Sequence, residues 1–234
     1  MLEEILTAGF AELGITPDSA ALPRYRIYYE RLAEMNQVMN LTAITGEDES
    51  ARLHFLDSAA ILTAADMRGR RVIDVGTGAG FPGLALKIAR PDMALTLLDS
   101  LDKRIGFLRG TCERLGFDDV ECIHARAEEA ARERRESYDF AVARAVARLE
   151  LLCELCLPFV KVGGRFIAMK GPDCAGEVNE AARAVSMLGG QLAPIVSYTV
   201  PGTDAVHSLV IIEKLRPTPE KYPRRWAQIK KSPL

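Results

Sequence analysis

Apolar residues in the first third of the chain recur at helical intervals. Leu2, Ile5, Leu6, Phe10 and Leu13 form one stripe, which stops at Gly14. Leu22, Tyr25, Tyr28, Tyr29, Leu32, Met35 and Met39 form a second, and Leu53, Leu56, Ala60 and Ile61 a third. Spacings of three and four residues bring such positions onto one face of a helix, so residues 1–65 read as a helical extension. Gly14 to Pro17 and Asn40 to Glu47 hold the turn-forming residues that separate the stripes. After Gly69 the rhythm changes. Short apolar runs predict strands at Arg71–Val75, Ala94–Leu98, Val120–Ile123, Phe140–Ala143 and Arg165–Met169. Each is followed by a helical pattern: Pro82–Ile88, Lys103–Leu115, a charged segment near 126–135, Glu150–Leu157 and Glu177–Leu188. Such alternation builds a parallel sheet with helices on both faces. Two last runs, Ala193–Val200 and Ser208–Glu213, are separated only by a short turn around Pro201-Gly202. That gap is too short for a crossover helix, so the pair is expected to be antiparallel. The predicted fold is α/β and Rossmann-like, with a seven-stranded sheet, mostly parallel, whose last strand is antiparallel. It divides into the extension (1–65), a core (66–214) and a tail (215–234).

The chain has 234 residues, 48% hydrophobic and 26% charged, which excludes a largely disordered protein. No apolar run reaches the roughly 18 residues of a membrane span. Met1-Leu2-Glu3-Glu4 is acidic and leads into an amphipathic segment, unlike a signal peptide. Five cysteines, an odd number, suit a reduced, cytoplasmic protein. The net charge of −2 conceals an asymmetry. Residues 214–234 hold seven basic side chains against one acid, Glu220, or +6. That leaves 23 basic and 31 acidic side chains, or −8, in residues 1–213. A basic tail on an acidic body fits a polyanionic partner; on charge alone it also fits a solvated, mobile terminus, which is the simpler reading.

The strongest motif is Asp74-Val-Gly76-Thr-Gly78-Ala-Gly80-Phe81-Pro82-Gly83, where the first strand turns into the first helix of the sheet. Glycines allow the sharp turn and let backbone approach a ligand, and the carboxyl end of a parallel strand is where open α/β sheets bind ligands. Gly78 to Gly83 formally matches the dinucleotide fingerprint G-x-G-x-x-G, with Asp99 19 residues beyond Gly80. The longer pattern, with Asp74 inside the strand end, suits S-adenosylmethionine (SAM) better. Pyrophosphate would be repelled by that acid, whereas SAM presents an ammonium and a sulfonium, so Asp74 and Gly78 are expected to contact the cofactor. Asp99 ends the second strand, where a carboxylate can accept both ribose hydroxyls or cap the next helix.

The chain resembles the bacterial small-subunit rRNA guanine-N7 methyltransferases, long called glucose-inhibited division protein B. The matching stretches are Met39–Ile44, His54–Ser58, Asp74–Gly83, Asp99–Arg104, Arg126–Glu128, Ala143–Leu149, Glu154–Pro158, Met169–Gly171 and Tyr222–Arg224. The glycine loop is shared by methyltransferases at large, and the blocks around Asn40–Ile44 and Arg144–Leu149 are more specific. The resemblance implies a SAM-dependent methyltransferase fold and SAM contacts at Gly76, Phe81, Ala127, Glu128 and Arg144. From the residues alone, Glu128 also reads as a helix N-terminal acid and Arg144 as a surface salt-bridge partner. The implied partner is 16S rRNA or a small ribosomal subunit precursor, with neither membrane nor metal involved. Two departures bear on RNA docking. His207 stands where Arg is expected, and the stretch after Arg225 lacks the Pro- and Gly-containing turn usual in the family.

Guanine N7 has an in-plane lone pair and no proton, so its methylation needs no general base. The sequence has only three histidines and no nucleophile–base motif, and no catalytic acid–base residue is expected; Arg144 could position substrate. Lys103, Arg126, Lys170, Arg224 and Arg225 are candidate RNA contacts. Tyr28 and Tyr29 could stack on a base, though their spacing fits packing. Cys153 and Cys156 lack a second pair at zinc spacing and read as a buried helix face. Methyl transfer to a small molecule or a protein, and a non-catalytic SAM- and RNA-binding module, remain as alternatives.

Overall fold

The computed structural model describes residues 1–234. Strands β1 (Arg71–Val75), β2 (Ala94–Asp99), β3 (Glu121–His124), β4 (Tyr138–Arg144) and β5 (Val160–Lys170) are parallel, in the order β3-β2-β1-β4-β5. Strands β6 (Gly190–Leu192), β7 (Val196–Thr199) and β8 (Val206–Lys214) complete the sheet. β8 runs antiparallel against β5, and β6 and β7 both pair antiparallel with the other edge of β8. The sheet therefore has eight strands rather than seven: β7 falls within the run expected at 193–200, and β6 is an additional short strand just before it. Leu192 faces Ile212 and Val196 faces Leu209, so three residues, 193–195, stand opposite two. Pro194 sits in this bulge, where its missing N–H breaks the ladder.

Helices cover both faces. On one lie α1 (Leu2–Glu12), α2 (Ala21–Met39), a helical run α3 over residues 47–64, α4 (Gly83–Ala89) and α5 (Asp102–Leu115). On the other lie α6 (Ala127–Glu133), α7 (Leu149–Cys156) and α8 (Ala175–Met187), with α9 (Trp226–Lys231) beside α7. Alternate strand residues serve the two cores: Val142, Ile167 and Met169 face the first, and Ala141, Ala143, Phe166 and Ala168 the second. This is the period of two that the pleat imposes.

The N-terminal helices share the first core with the sheet. Leu2, Leu6, Tyr25, Tyr28 and Leu32 are buried there, each contributing on the order of 1.5–3 kcal/mol of apolar burial. Tyr25 Oη donates to the Ala85 carbonyl at 2.7 Å and Tyr28 Oη to that of Ala79 at 2.6 Å. Tyr28 is thus a packed anchor of the glycine loop and is closed to a base. Within α3, Ala51–Leu56 is wound as a π-helix, an irregularity common at functional sites.

The C-terminal segment is no solvated terminus. Lys214 is buried, its Nζ donating to the carbonyls of Leu157 and Val160 and pairing with Glu136. Arg135 holds the carbonyls of Thr218, Pro219 and Tyr222. Tyr222 and Ile229 are buried in the second core. Cys153 and Cys156 also lie there, on the covered face of α7.

Candidate active site

The strand order reverses at β1, which has β2 on one side and β4 on the other. A cleft of about 410 Å³ opens at the carboxyl ends of these strands, within the size range of small-molecule sites. The loop after β1 forms its floor. Gly78 has φ +59°, and a Cβ there would meet no atom nearer than 4.0 Å, so this residue exposes backbone directly to the cleft. Gly80, at φ +107°, has the opposite reason: a Cβ would lie 2.4 Å from Tyr28 Oη. Val146 packs over Gly76 and forms part of the rim, next to Ala145, which adopts a left-handed φ of +56°.

Asp74 does not line the cleft. It stands fully buried behind the loop, where its Oδ2 accepts from Thr77 Oγ1 at 2.6 Å and from the Gly83 N–H at 2.8 Å. The expected direct contact is thereby corrected: the short aspartate side chain is used to close the turn. Its Oδ1 is buried without a partner, and burial pushes the carboxyl up to about 6. Asp99 does line the cleft. Its Oδ2 accepts from the Gly78 N–H and its Oδ1 from the Leu101 N–H, both at 2.9 Å, with Arg104 at 3.3 Å. The carboxylate thus orders both the loop and the start of α5, and its lone pairs exceed these donors.

Arg144, at the end of β4, is the hub of a network. Its Nη1 donates to the Leu53 carbonyl and to Asp57 Oδ2, each at 3.0 Å, and its Nη2 lies 3.1 Å from His54 Nδ1. The guanidinium also covers the Phe81 ring at 4.8 Å. The salt bridge is therefore interior, and the π-wound turn supplies two of the partners. His54 stacks on Phe81 at 4.3 Å between centroids. Burial, reinforced by the Arg144 charge, pulls its imidazole down to about 4. Burial alone would raise the Asp57 carboxyl, but hydrogen bonds from His207 and Tyr198, both at 2.7 Å, and the Arg144 charge leave it lowered. The His207 departure thus falls on a ligand of this buried aspartate.

Ala127 opens α6 and lines the cleft beside Arg126. Glu128, in the same turn, is buried, and its Oε1 accepts from the Trp226 N–H at 3.3 Å. Trp226 walls the cleft, although it lies in the tail beyond the last strand. The missed signal was the chain's single tryptophan beside a basic pair. His54, Leu41 and Thr42 also line the cleft; they sat in recognisable stretches but carried no charge pattern that would single them out.

The five cationic candidates separate. Lys103, Arg126 and Arg225 are exposed and make no ion pair. Lys170 is held by the Ala147 carbonyl and Glu177. Arg224 grips the fully buried Glu154 with its backbone N–H, Nε and Nη2. Both are committed to ion pairs, Lys170 in a half-buried one and Arg224 with a buried acid. No group of three His, Cys, Asp or Glu side chains is arranged to hold a metal ion, and no helix is long and apolar enough to cross a membrane.

These residues fit SAM. A buried, partnerless carboxylate oxygen behind the loop favours a cationic ligand, Asp99 offers lone pairs to a diol, and Leu98, Ala125, Ala127 and Trp226 provide apolar walls. Solved structures share the fold. TrmN from Thermus thermophilus gives a TM-score of 0.54 at 23% identity, over 68% of this chain and 48% of that one. M. jannaschii TYW2, solved in complex with AdoMet, gives 0.54 at 12% identity, over 68% and 75%. Sheet, loop and acids together define a SAM-dependent methyltransferase. A family model described as "GidB: rRNA small subunit methyltransferase G" matches residues 22–203. A protein of that description from Alkaliphilus metalliredigens is 47% identical over 98% of both chains, and one from Acetivibrio thermocellus is 44% identical over 100% of this chain and 97% of its own. The chain belongs to the rRNA small subunit methyltransferase G family.

Proposed function

We propose that this enzyme methylates N7 of a guanine in 16S rRNA, on naked RNA or in a precursor of the small subunit, in the cytoplasm. The carrying observation is the state of His54, the only histidine lining the cleft. Arg144 can only donate, so His54 Nδ1 accepts from it. Nε2 then carries the proton and donates to Thr42 Oγ1 at 2.9 Å. Neither nitrogen is free to take a proton, and a value near 4 makes the ring a poor base. A nucleophile with no attached proton to lose on methylation suits such a site. Guanine N7 is one; amines and hydroxyls, which must shed a proton, are not.

SAM supplies an electrophilic methyl on a sulfonium. Gly76, Gly78, Phe81, Asp99, Ala127, Glu128 and Arg144 hold and orient it, with Asp74 acting from behind the loop. The chain's contribution to rate is alignment and a fixed local field rather than proton transfer. The base leaves its stack to enter the cleft. Arg126 on the cleft wall, with the exposed Lys103, Lys221, Arg225, Lys230 and Lys231, contacts phosphate. The test is transfer of labelled methyl from SAM to 16S rRNA, naked and in subunits, with borohydride–aniline cleavage to locate N7-methylguanine. Label in protein or small molecules overturns the reading. So does a single-turnover rate that rises tenfold per unit between about pH 6.5 and 8.5, where no titration is expected.

A further inference from the structure

A second hollow of about 330 Å³ lies on the N-terminal helices, between α2 and the loop over residues 40–46. Thr42 lines both this hollow and the cofactor cleft, so one residue forms the wall between them. The loop is held in place by a double clamp. Asn36 Nδ2 donates to the Thr42 carbonyl at 2.9 Å, and Asn36 Oδ1 accepts from the Thr42 N–H at 2.8 Å. A side-chain amide spent in this way fixes the loop against α2, so the hollow is pre-formed.

Its lining is unusual for this protein. None of the nine lining residues is charged, in a chain where 26% of residues are. Phosphate is thus a poor occupant, as is any ionised group. The hydroxyls of Ser50 and Thr42 each keep a proton to donate. Ser50 Oγ is buried, with the residue 1% exposed, and has no hydrogen-bond partner. Thr42 Oγ1 already accepts from His54 Nε2 and from the Ile44 N–H, so its own proton is left to donate. The Gln37 amide is exposed at the mouth, offering a donor and an acceptor in one plane. Tyr29 is half-buried along one side, with its Oη directed at the Thr45 carbonyl at 3.3 Å.

An aromatic ring, an amide and hydroxyls around an uncharged hollow are the means by which proteins read unstacked bases of single-stranded RNA. A buried hydroxyl without a partner is costly unless a ligand completes it. We propose that this side pocket receives a nucleobase of the RNA strand adjoining the methylated guanine, which rests on the reading of the cleft as the site of guanine methylation. The target base in the cleft and its neighbour in the side pocket would straddle Thr42, and this grips the strand while the target is unstacked.

The test uses the full chain with S-adenosylhomocysteine bound. Protein labelled with 15N in Asn and Gln side chains is titrated with AMP, GMP, CMP and UMP. The Gln37 amide is expected to shift with at least one of them. Ala33→Phe, on the α2 wall, fills the hollow and should abolish the shift. Ser50→Ala removes a partnerless hydroxyl, so it should fold at least as well as the wild type. It should raise the KM for rRNA about two- to tenfold, the worth of one neutral hydrogen bond. Ala33→Phe should raise that KM at least tenfold, with S-adenosylhomocysteine affinity within twofold for both variants. No nucleotide-dependent shift, or an unchanged KM in both folded variants, overturns the proposal. The amide shifts need no methyl transfer, so failure of the methylation reading would leave them intact. Failure of the pocket reading would remove them while labelled methyl still reached rRNA.

Discussion

Replacing Asp74 by Asn isolates the acid behind the glycine loop. Burial holds its carboxyl at about 6, against an ordinary 3.8. A raised folded-state value adds stability that is complete below 3.8 and is lost as pH rises through 6. Two units at 1.36 kcal/mol each amount to about 3 kcal/mol, of which about 1 kcal/mol appears between pH 7 and pH 5. His54 has the opposite sign. Its value near 4 lies below the ordinary 6.5, so its contribution is present above 6.5 and is lost as pH falls through 4. The two slopes oppose each other in the wild type over one window, and Asp74→Asn leaves the His54 slope alone. The Asn oxygen can still accept from Thr77 Oγ1 and the Gly83 N–H, so the turn should survive. Differential scanning calorimetry should therefore show the Tm difference between the two proteins moving in favour of the wild type by about 2–4 °C from pH 7 to pH 5. A cationic ligand restores the ionised carboxyl, so SAM binding at pH 6 should release protons in the wild type and not in the variant. Calorimetry in two buffers of different ionisation heat measures that release. Parallel Tm curves with equal proton release would falsify the assignment of a raised carboxyl at this position.

Gly78→Val places a branched side chain at φ +59° in open cleft, so S-adenosylhomocysteine affinity should fall at least tenfold; undiminished binding in a folded variant would remove the loop from the site. Arg224→Ala leaves Glu154 buried and unpaired, a loss of about 3–5 kcal/mol in urea unfolding, and a loss below 1 kcal/mol would mean that the pair is incidental. Removing residues 226–234 should weaken SAM binding as well as RNA binding, because Trp226 walls the cleft and Ile229 is buried. Lys230→Glu with Lys231→Glu should leave SAM affinity within twofold and reduce the salt slope of RNA binding by about one to two units; an unchanged slope would clear both lysines of phosphate contact.

The strands, their helices and the loop from Asp74 to Gly83 were legible along the chain because each rests on local geometry. The pleat repeats every two residues, the helix every 3.6, and a left-handed turn needs glycine at a particular position. Asp99 was legible for the same reason, since strand ends and ligand positions coincide in open α/β sheets. The short strand β6 was not legible, because Gly190-Gln191-Leu192 offers a single strongly apolar residue and is cut off from the run after it by Pro194.

What the sequence could not disclose is which charges are free. It showed seven basic side chains in the last 21 residues, but not that Lys214 is buried or that Arg224 is bound to Glu154, 70 positions away. Nor did it show that Arg144 reaches back 87 positions to Asp57, or that Trp226 closes a cleft built from β1, β2 and β4. Formal charge is a property of a residue, whereas pairing depends on distance. Distances between chain-remote groups are set only when the sheet order, the bulge at the edge strand and the folded-back tail bring their elements together.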